Sequence, residues 1–308
     1  MQVSFQLTIL GASGAIPAYG RLTSAQSLSI QNRHFLIDCG EGAQLQLAKT
    51  NVSIHRISHI FISHLHGDHY LGLMGLMFTM HLNHREADLH IYSHRGLDDI
   101  ILTQLRHSHS VLNYRVHFHE LTPGKHEMIF DDDHLTVEAF PLVHRLACSG
   151  FLFKEKPKPR RIDKDRLPPD MKLQYIVQLK LGNDIHDEEG HLLYKNEDFT
   201  LPPRPSLSYA YCSDTALFPE LTRYIKDVDL LYHEATFMEE ERTKAHDTLH
   251  STAGDAAKIA QMVHAKKLLI GHYSARYREL DGLLSEARAI FPNTELAAEL
   301  NTIEVKSE

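Results

Sequence analysis

The pattern of apolar and polar positions predicts a chain that mixes strands and helices along most of its length. Short apolar or alternating runs between Gly-rich turns indicate strands at 5–10, 26–30, 35–38, 60–63, 135–141 and 175–181. Helical spacing indicates helices at 41–50, 72–81, 97–109, 253–264 and 280–290. This mixture predicts a layered α/β body. The 308 residues contain no internal repeat, and we expect one compact domain spanning 1–308.

An irregular, basic segment interrupts this pattern. Residues 154–166 hold seven basic and three acidic side chains, and their prolines oppose regular structure. We interpret 154–205 as an arm that is inserted in the domain and projects from it. The cations that it offers to an anionic substrate are Lys154, Lys156, Lys158, Arg160 and Arg161. The alternative is a solvated loop without a partner, since basic runs are often just that.

The composition limits what the chain binds and where it works. A net charge of −8 argues against nucleic-acid binding through the whole surface, so a polyanion would have to meet a local basic patch. Cys39, Cys148 and Cys212 form no Cys-x-x-Cys pair, which argues against a disulfide framework and a thiolate zinc site. The pattern of a signal peptide and that of a membrane span are both missing. We expect a soluble cytoplasmic protein with no membrane partner.

A histidine-rich motif follows the predicted strand at 60–63. His64 and His66 are two residues apart, so a turning backbone can direct both imidazoles toward one cation. Gly67 permits the reversal that directs Asp68 and His69 toward a second cation. These ligands suit zinc best, with manganese or iron as substitutes. A structural zinc site is the alternative, although such sites usually employ cysteine.

Further ligands must come from distant positions, because two bridged metals need about seven protein donors. Three polar residues directly follow buried apolar runs, where α/β proteins usually place their sites: His144, Asp214 and His272. Other histidine pairs have metal-like spacing but no carboxylate that follows a buried strand nearby. We interpret them as surface or packing residues: His81 and His84, His107 and His109, and His117 and His119.

Several motifs together resemble one known family. Residues 10–17 resemble its opening turn, 36–44 its second motif and 271–277 its terminal ligand motif. His233-Glu234-Ala235-Thr236 and His250-Ser251-Thr252 match two further signatures. On these residues the chain is similar to the ribonuclease Z family of the metallo-β-lactamase superfamily, over roughly residues 5–280. The resemblance implies an αββα sandwich with a projecting basic arm.

The resemblance also implies a dinuclear site with two Zn2+ per subunit, or Mn2+ or another divalent metal in their place. The implied ligands are three for one ion, three for the other and one bridge: His64, His66 and His144; Asp68, His69 and His272; and Asp214. All seven positions are filled, which argues against a catalytically inactive relative.

Catalytic roles follow from the same resemblance. Two metals would lower the pKa of a bridging water and clamp a phosphodiester, so that hydroxide attacks phosphorus. Asp68 would act as general base, and His250 would protonate the leaving oxygen. Glu234 would orient one of these groups, or else be a capping or surface carboxylate. Ser274 and Arg276 would contact substrate phosphates, or else form a turn and a structural salt bridge.

The implied activity is removal of the 3′ trailer from precursor tRNA, which leaves a 3′-hydroxyl on the tRNA and a 5′-phosphate on the trailer. The arm would grip the tRNA body and reach over the partner subunit's active site, so a homodimer is expected. The chain departs from the family pattern at 21–24, at 43–46 and at 167–170, where Leu-Pro-Pro-Asp replaces Pro-Pro-Gly-Pro. Two alternatives are another hydrolase on this fold, such as a small-molecule phosphodiesterase or arylsulfatase, and a tRNA-binding protein without turnover.

Overall fold

The computed structural model describes residues 5–307, and two seven-stranded sheets dominate it. The first sheet consists of β1 (Phe5–Gly11), β2 (Ala25–Ile30), β3 (Arg33–Cys39), β4 (Ile57–Phe61), β5 (Leu89–Ser93), β6 (Val116–Glu120) and β18 (Thr302–Glu304). In space, β18, β1, β2 and β3 pair antiparallel, whereas β3, β4, β5 and β6 pair parallel.

The second sheet faces the first. It consists of β7 (Glu127–Asp131), β8 (Leu135–Pro141), β9 (Ser149–Glu155), β14 (Ser208–Cys212), β15 (Leu230–Glu234), β16 (Lys267–Gly271) and β17 (Thr294–Leu296). Strands β14 to β17 are parallel, and β14, β9, β8 and β7 pair antiparallel. Each sheet therefore contains a parallel half whose strands end at a common edge.

Helices cover the outer faces of both sheets. The first sheet is covered by α1 (Ala43–Leu47), α2 (Gly67–Tyr70), α3 (Leu73–Leu82) and α4 (Leu97–His107), and the second by α8 (Ala253–Met262) and α9 (Asp281–Ile290), with α7 (Arg242–Thr248) before α8. Thr252 begins α8 with a capping box, because its side chain and that of Asp255 satisfy each other's backbone N–H groups. The expected αββα sandwich is thus confirmed. No helix within residues 5–307 is long and apolar enough to cross a membrane.

Side-chain alternation along the strands creates two apolar layers. Phe35 and Phe61 point toward the second sheet, where their rings lie 5.7 and 5.4 Å from that of Phe153. Leu36 and Ile60 point the other way, into the layer beneath α3 and α4. All five side chains are at most 1% exposed. A continuous apolar layer on each face of the first sheet therefore holds the sandwich together.

The strand predicted at 175–181 is wrong, because the chain forms helix α5 (Leu173–Lys180) there. Tyr175, Val177, Leu179 and Leu181 alternate as in a strand, but Val177 and Leu181 are 49% and 65% exposed. The buried or half-buried positions are Tyr175, Ile176 and Leu179, which have the spacing of a helix face. The apolar alternation therefore does not reflect burial, and the contacts made by one helix face determine that this segment is helical.

Between β9 and β14 the chain leaves the sandwich. The arm contains α5, α6 (Asn196–Phe199) and two small sheets, β10 (Arg161–Ile162) with β13 (Thr200–Leu201), and β11 (Ile185–His186) with β12 (Leu192–Tyr194). Its first two residues still belong to β9. Buried Glu155 accepts hydrogen bonds from Gln31 Nε2 at 2.8 Å and Leu207 N at 2.9 Å, and it pairs with Lys158 at 2.5 Å. Glu155 therefore fixes the base of the arm to the sandwich.

A column of imidazoles crosses the free edge of the first sheet. The rings of His59 and His90 stack at 4.8 Å, and those of His90 and His117 at 4.7 Å. His90 Nδ1 also lies 2.9 Å from His119 Nε2. His117 and His119 are therefore packing residues, as the sequence indicated.

The histidine column predicts an acid-sensitive sheet edge. Burial lowers the pKa of His59 from 6.5 to about 4, with smaller contributions from the neighbouring His90, His119 and Arg85. Asp132 opposes this shift but does not outweigh it. Between these pH values His59 binds a proton more readily in the unfolded chain than in the folded one. Neutral, buried His59 therefore contributes fully to the free energy of unfolding above pH 6.5, and this contribution is lost as the pH falls toward 4.

We expect His59→Phe, which keeps an aromatic ring without a titrating group, to flatten the fall of Tm below pH 6.5. Thermal unfolding measured across this pH range checks the prediction. His107→Phe, at an exposed position of α4, is the matched control and should leave the pH profile as it is. An equal flattening in both variants would assign the acid sensitivity elsewhere.

Candidate active site

The candidate ligands converge at one edge of the sandwich. His64 and His66 follow β4, and Asp68 and His69 lie in the first turn of α2. The distant candidates follow three strands of the second sheet, β8, β14 and β16, and are His144, Asp214 and His272. Loops at strand ends bring side chains from distant sequence positions together.

Two clusters result, and one carboxylate of the first cluster also faces the second. The first cluster has ligand atoms within 4.8 Å of one another and consists of His64, His66, His144 and Asp214. The second cluster meets the same limit and consists of Asp68, His69 and His272. The structure therefore brings together all seven residues that the sequence selected.

Asp214 presents one oxygen to each cluster. Its Oδ2 lies 3.6 Å from His64 Nε2 and 3.8 Å from His144 Nε2. Its Oδ1 lies 3.4 Å from His69 Nε2 and 3.1 Å from His272 Nε2. Such a placement suits a carboxylate that bridges two cations.

Four of the histidines are held through Nδ1 so that Nε2 faces the clusters. His144 Nδ1 donates to Leu249 O at 3.1 Å, and His69 Nδ1 donates to Asp38 Oδ2 at 2.7 Å. The remaining two contacts are between Nδ1 and a hydroxyl oxygen, at 2.9 Å for His272 with Thr236 and 3.1 Å for His64 with Ser63. Histidines that bind metals are usually oriented in this way.

The donors fit divalent metals such as zinc or manganese. His69 Nε2 is fully buried yet has no hydrogen-bond partner among the described residues, which a metal ion would supply. Burial would lower the pKa of His69, but Asp214, Asp38 and Asp68 outweigh it and raise that pKa well above 6.5. The negative charge of these three carboxylates, which favours a proton on the His69 ring, also favours a metal cation beside it. Imidazole and carboxylate together suit borderline metals.

Asp38 is a functional residue that the sequence analysis missed. It is fully buried at the end of β3 and accepts hydrogen bonds from Ser63 N at 2.7 Å, Ser63 Oγ at 2.9 Å and Tyr211 Oη at 2.6 Å, besides that from His69. Its signal was available, because Asp38 follows a buried apolar run just as Asp214 does. Asp38 thereby ties His69 to both sheets.

A second buried carboxylate orients His250. Glu234 Oε1 accepts from His250 Nδ1 and from Thr215 N, both at 2.8 Å, and Oε2 accepts from Thr236 Oγ1 at 2.5 Å. Glu234 is fully buried, which excludes a surface carboxylate. Burial would lower the pKa of His250, but Glu234 outweighs it and raises the pKa to about 9. Its Nε2 lies 3.9 Å from Asp214 Oδ2, beside the first cluster.

The base of the arm forms a cationic cavity of about 800 Å3. Four of the five selected arm cations line it: Lys156, Lys158, Arg160 and Arg161. Three further cations that were not selected also line it: Lys164, Lys180 and Arg204. The last three make no ion pair or side-chain hydrogen bond within residues 5–307. Lys180 and Arg204 lie outside the basic run, so only the fold could place them there. We call this space the arm cavity.

Three selected residues lie apart from it. Lys154 projects from β9 into a different hollow, with Lys226 and Lys266. Ser274 Oγ accepts from Arg276 N at 3.4 Å, and Arg276 pairs with Glu241, as in the structural alternative. These three residues therefore lie outside the arm cavity, and their contact with a substrate stays a prediction.

Comparison with known proteins supports the class that the fold and clusters define, a metallo-β-lactamase-fold hydrolase. Human tRNase Z, short form, superposes with a TM-score of 0.71 at 27% identity, covering 98% of this chain and 100% of that chain. The Bacillus subtilis metallo-β-lactamase fold protein YhfI superposes with a TM-score of 0.68 at 17% identity, covering 98% and 100%, which supports the fold alone. A family model described as Anti-Pycsar protein Apyc1 matches residues 5–157.

Sequence relatives specify the family. Ribonuclease Z of Cytophaga hutchinsonii is 47% identical over 297 residues, which are 96% of this chain and 95% of the relative. Ribonuclease Z of Bacteroides fragilis is 44% identical over 296 residues, covering 96% and 97%. The chain belongs to the ribonuclease Z family, and it is a phosphodiester hydrolase of the endoribonuclease class.

The role of Asp38 predicts a metal-binding defect. Asp38→Asn keeps the size of the side chain but weakens acceptance from His69 Nδ1, so we expect metal affinity to fall by roughly 10- to 100-fold. Metal titration followed by calorimetry or elemental analysis measures this. Asp88→Asn removes a carboxylate that pairs with exposed His117 and should keep the wild-type affinity. Unchanged affinity in Asp38→Asn would refute the assigned role.

Proposed function

We propose that the chain removes the 3′ trailer from precursor tRNA, leaving a 3′-hydroxyl on the tRNA and a 5′-phosphate on the trailer. The observation that carries this proposal is the juxtaposition of His250 and Glu234 with the bridging Asp214, in a member of the ribonuclease Z family. The seven ligands would position a phosphodiester, and His250 adds a proton donor at the same place.

The proposed cofactors are two divalent metal ions, Zn2+ by preference. The first cluster would hold one ion, the second cluster the other, and Asp214 would bridge them. When bound, the ions supply Lewis acidity to a water molecule and to the scissile phosphate. The side chains of the two clusters would hold the ions in place and thereby orient the water molecule and the phosphate.

Proton transfer is assigned to two side chains. His250 donates the proton on Nε2 to the leaving 3′-oxygen, while its Nδ1–H remains bound to Glu234. Asp68 accepts a proton from the attacking water. Among the cluster carboxylates, Asp68 is the more accessible, with a side chain that is 9% exposed against 3% for Asp214.

The arm cavity is the proposed grip for the tRNA body. Within the arm, the excess of positive charge lies at its base, since residues 167–205 contain seven acidic and four basic side chains. The base lies at the far end of β9 from Ser149, which donates to Ser63 O beside the first cluster. Seven strand residues span roughly 20 Å. We therefore also propose a homodimer, in which this arm would reach an RNA on the partner subunit's site.

Other contacts and the compartment complete the proposal. Lys154 would add a contact outside the arm cavity, and Ser274 and Arg276, close to His272 in sequence, would meet substrate phosphates once Arg276 leaves Glu241. All three cysteines are free and buried, which fits a cytoplasmic protein.

The function is tested with a 3′-extended precursor tRNA and a small phosphodiester, each assayed with metal-loaded and chelated protein. We expect metal-dependent cleavage after the discriminator base. A small diester that is hydrolysed while the tRNA stays whole would favour a small-molecule phosphodiesterase. RNA binding that survives chelation without any product would favour a tRNA-binding protein.

The arm cavity predicts a loss specific to RNA. Substituting Arg160, Arg161 and Lys164 by Gln should raise KM for precursor tRNA by at least tenfold and reduce the slope of log K against log[salt] by about 0.7–0.9 per lost contact. Turnover of the small diester should persist. The control substitutes Arg223, Lys267 and Lys306 by Gln, because these cations lie outside the arm cavity and outside the hollow that Lys154 lines. An equal effect of the two triple variants would refute a dedicated grip.

The role of His250 predicts dependence on the leaving group. His250→Gln removes the donated proton, so kcat on precursor tRNA should fall by roughly 10²- to 10⁴-fold. A diester with a 4-nitrophenolate leaving group needs no protonation and should lose much less. Equal losses on both substrates would contradict the assignment and indicate a role in binding or folding.

A further inference from the structure

An exposed aromatic ring lies beside the clusters, on the loop that follows β1. Ala15 N–H donates to Asp68 Oδ2 at 2.7 Å, and a Cβ on Gly14 would lie 2.7 Å from the His272 ring. The loop therefore touches the second cluster directly. Tyr19 is four residues beyond Ala15 and is 57% exposed. Four extended residues span at most about 14 Å, so this ring stands at the rim of the site.

The backbone holds Tyr19 in a conformation that disfavours an aromatic residue. Ala18 and Arg21 exchange backbone hydrogen bonds of 3.0 and 2.9 Å across a two-residue turn, with φ of 54° at Tyr19 and 80° at Gly20. Asn or Gly usually occupies the first of two such left-handed positions. A bulky residue there is strained, and strain of this kind concentrates at functional sites.

Arg21 supports the ring from one side. Its guanidinium carbon lies 5.3 Å from the Tyr19 ring centroid and 6.0 Å from that of Tyr273. The guanidinium is fixed by donation to Tyr277 O at 2.5 Å and Arg278 O at 3.2 Å. Tyr19 thus rests on an anchored cation and presents its exposed surface outward.

Next to the ring is a cavity of about 280 Å3, bounded by Tyr19, Arg21, Leu280, Leu296 and Glu299. Glu299 is oriented by accepting from Leu22 N at 2.5 Å and from Gln46 Nε2 at 2.6 Å. A mostly apolar space with an aromatic wall and a carboxylate at its edge suits a nucleobase.

We propose that Tyr19 and this cavity form a nucleobase subsite, in which the ring stacks on one base of the RNA next to the scissile phosphate. The inference rests on the proposed function and adds a specificity-determining residue to it. Base stacking tolerates sequence variation, because every base has a π-face. The subsite would therefore fix the position of the cut strand rather than select a sequence.

The test uses Tyr19→Asn, which removes the ring and suits the left-handed turn, and Tyr19→Trp, which restores a stacking surface. Substrates are precursor tRNAs with a single abasic nucleotide at the discriminator or at one of the neighbouring trailer positions. Metal content and thermal unfolding verify that each variant is intact. His109→Asn is the matched control, since His109 is an exposed aromatic residue with φ of 50° at the end of α4.

We expect Tyr19→Asn to lower kcat/KM on intact RNA by roughly tenfold, and Tyr19→Trp and His109→Asn to retain it. At one abasic position the wild type should fall by the same factor, and Tyr19→Asn should lose nothing more. Wild-type cleavage by Tyr19→Asn, or a further loss of equal size at every abasic position, would overturn the subsite. A wild type that cuts no precursor tRNA would instead defeat the proposed function, and the subsite with it.

Discussion

The rest of this structure depends on how one buried carboxylate is compensated. Asp214 follows a strand of the second sheet, yet its oxygens face imidazoles that the first sheet carries, at 3.6 Å for His64 and 3.4 Å for His69. Burial would raise the pKa of Asp214, but His272, His69 and His64 outweigh it and hold the pKa well below its usual range. A buried charge is tolerated only with such partners. The two sheets must therefore keep the relative position that brings these residues together.

Two further carboxylates support this arrangement, one from each sheet. Asp38 holds His69 and, through Tyr211, reaches the second sheet. Glu234 holds His250 and also accepts from Thr236, whose hydroxyl lies 2.9 Å from His272 Nδ1. The ligands therefore belong to one hydrogen-bonded network rather than to separate loops. Networks of this kind reduce the reorganisation needed when charge develops at the site.

One feature of the surface charge is a cavity lined by cations that lies away from the clusters. The chain carries a net charge of −8, yet seven cations meet in the arm cavity, at the opposite end of β9 from the clusters. Concentrating cations in one cavity would let an acidic protein attract a polyanion without general adhesion to nucleic acid. Near the clusters, the left-handed turn at Tyr19 would offer a ring for base stacking. The two surfaces would thus divide the binding of RNA between phosphates and bases.

The sequence by itself determined the local features. His64, His66, Asp68 and His69 share one strand-to-helix junction, and the distant ligands each follow a buried strand, so spacing and apolar pattern were enough to select them. The same reasoning failed at α5, where alternation within the arm did not reflect burial. Spacing alone could not show that Asp214 faces both clusters, which only the family resemblance implied, since this depends on distances between residues far apart along the chain.

Tertiary packing decided the remainder. Asp38 acquires its role only because β3 and β14 face each other, and Lys180 and Arg204 join the arm cavity only because the arm folds back on its base. The partner of Arg276, Glu241, lies 35 residues away along the chain, and only the fold brings the two together. Sequence patterns report local backbone geometry and burial, whereas the pairing of charges across the sandwich is fixed by how the two sheets pack.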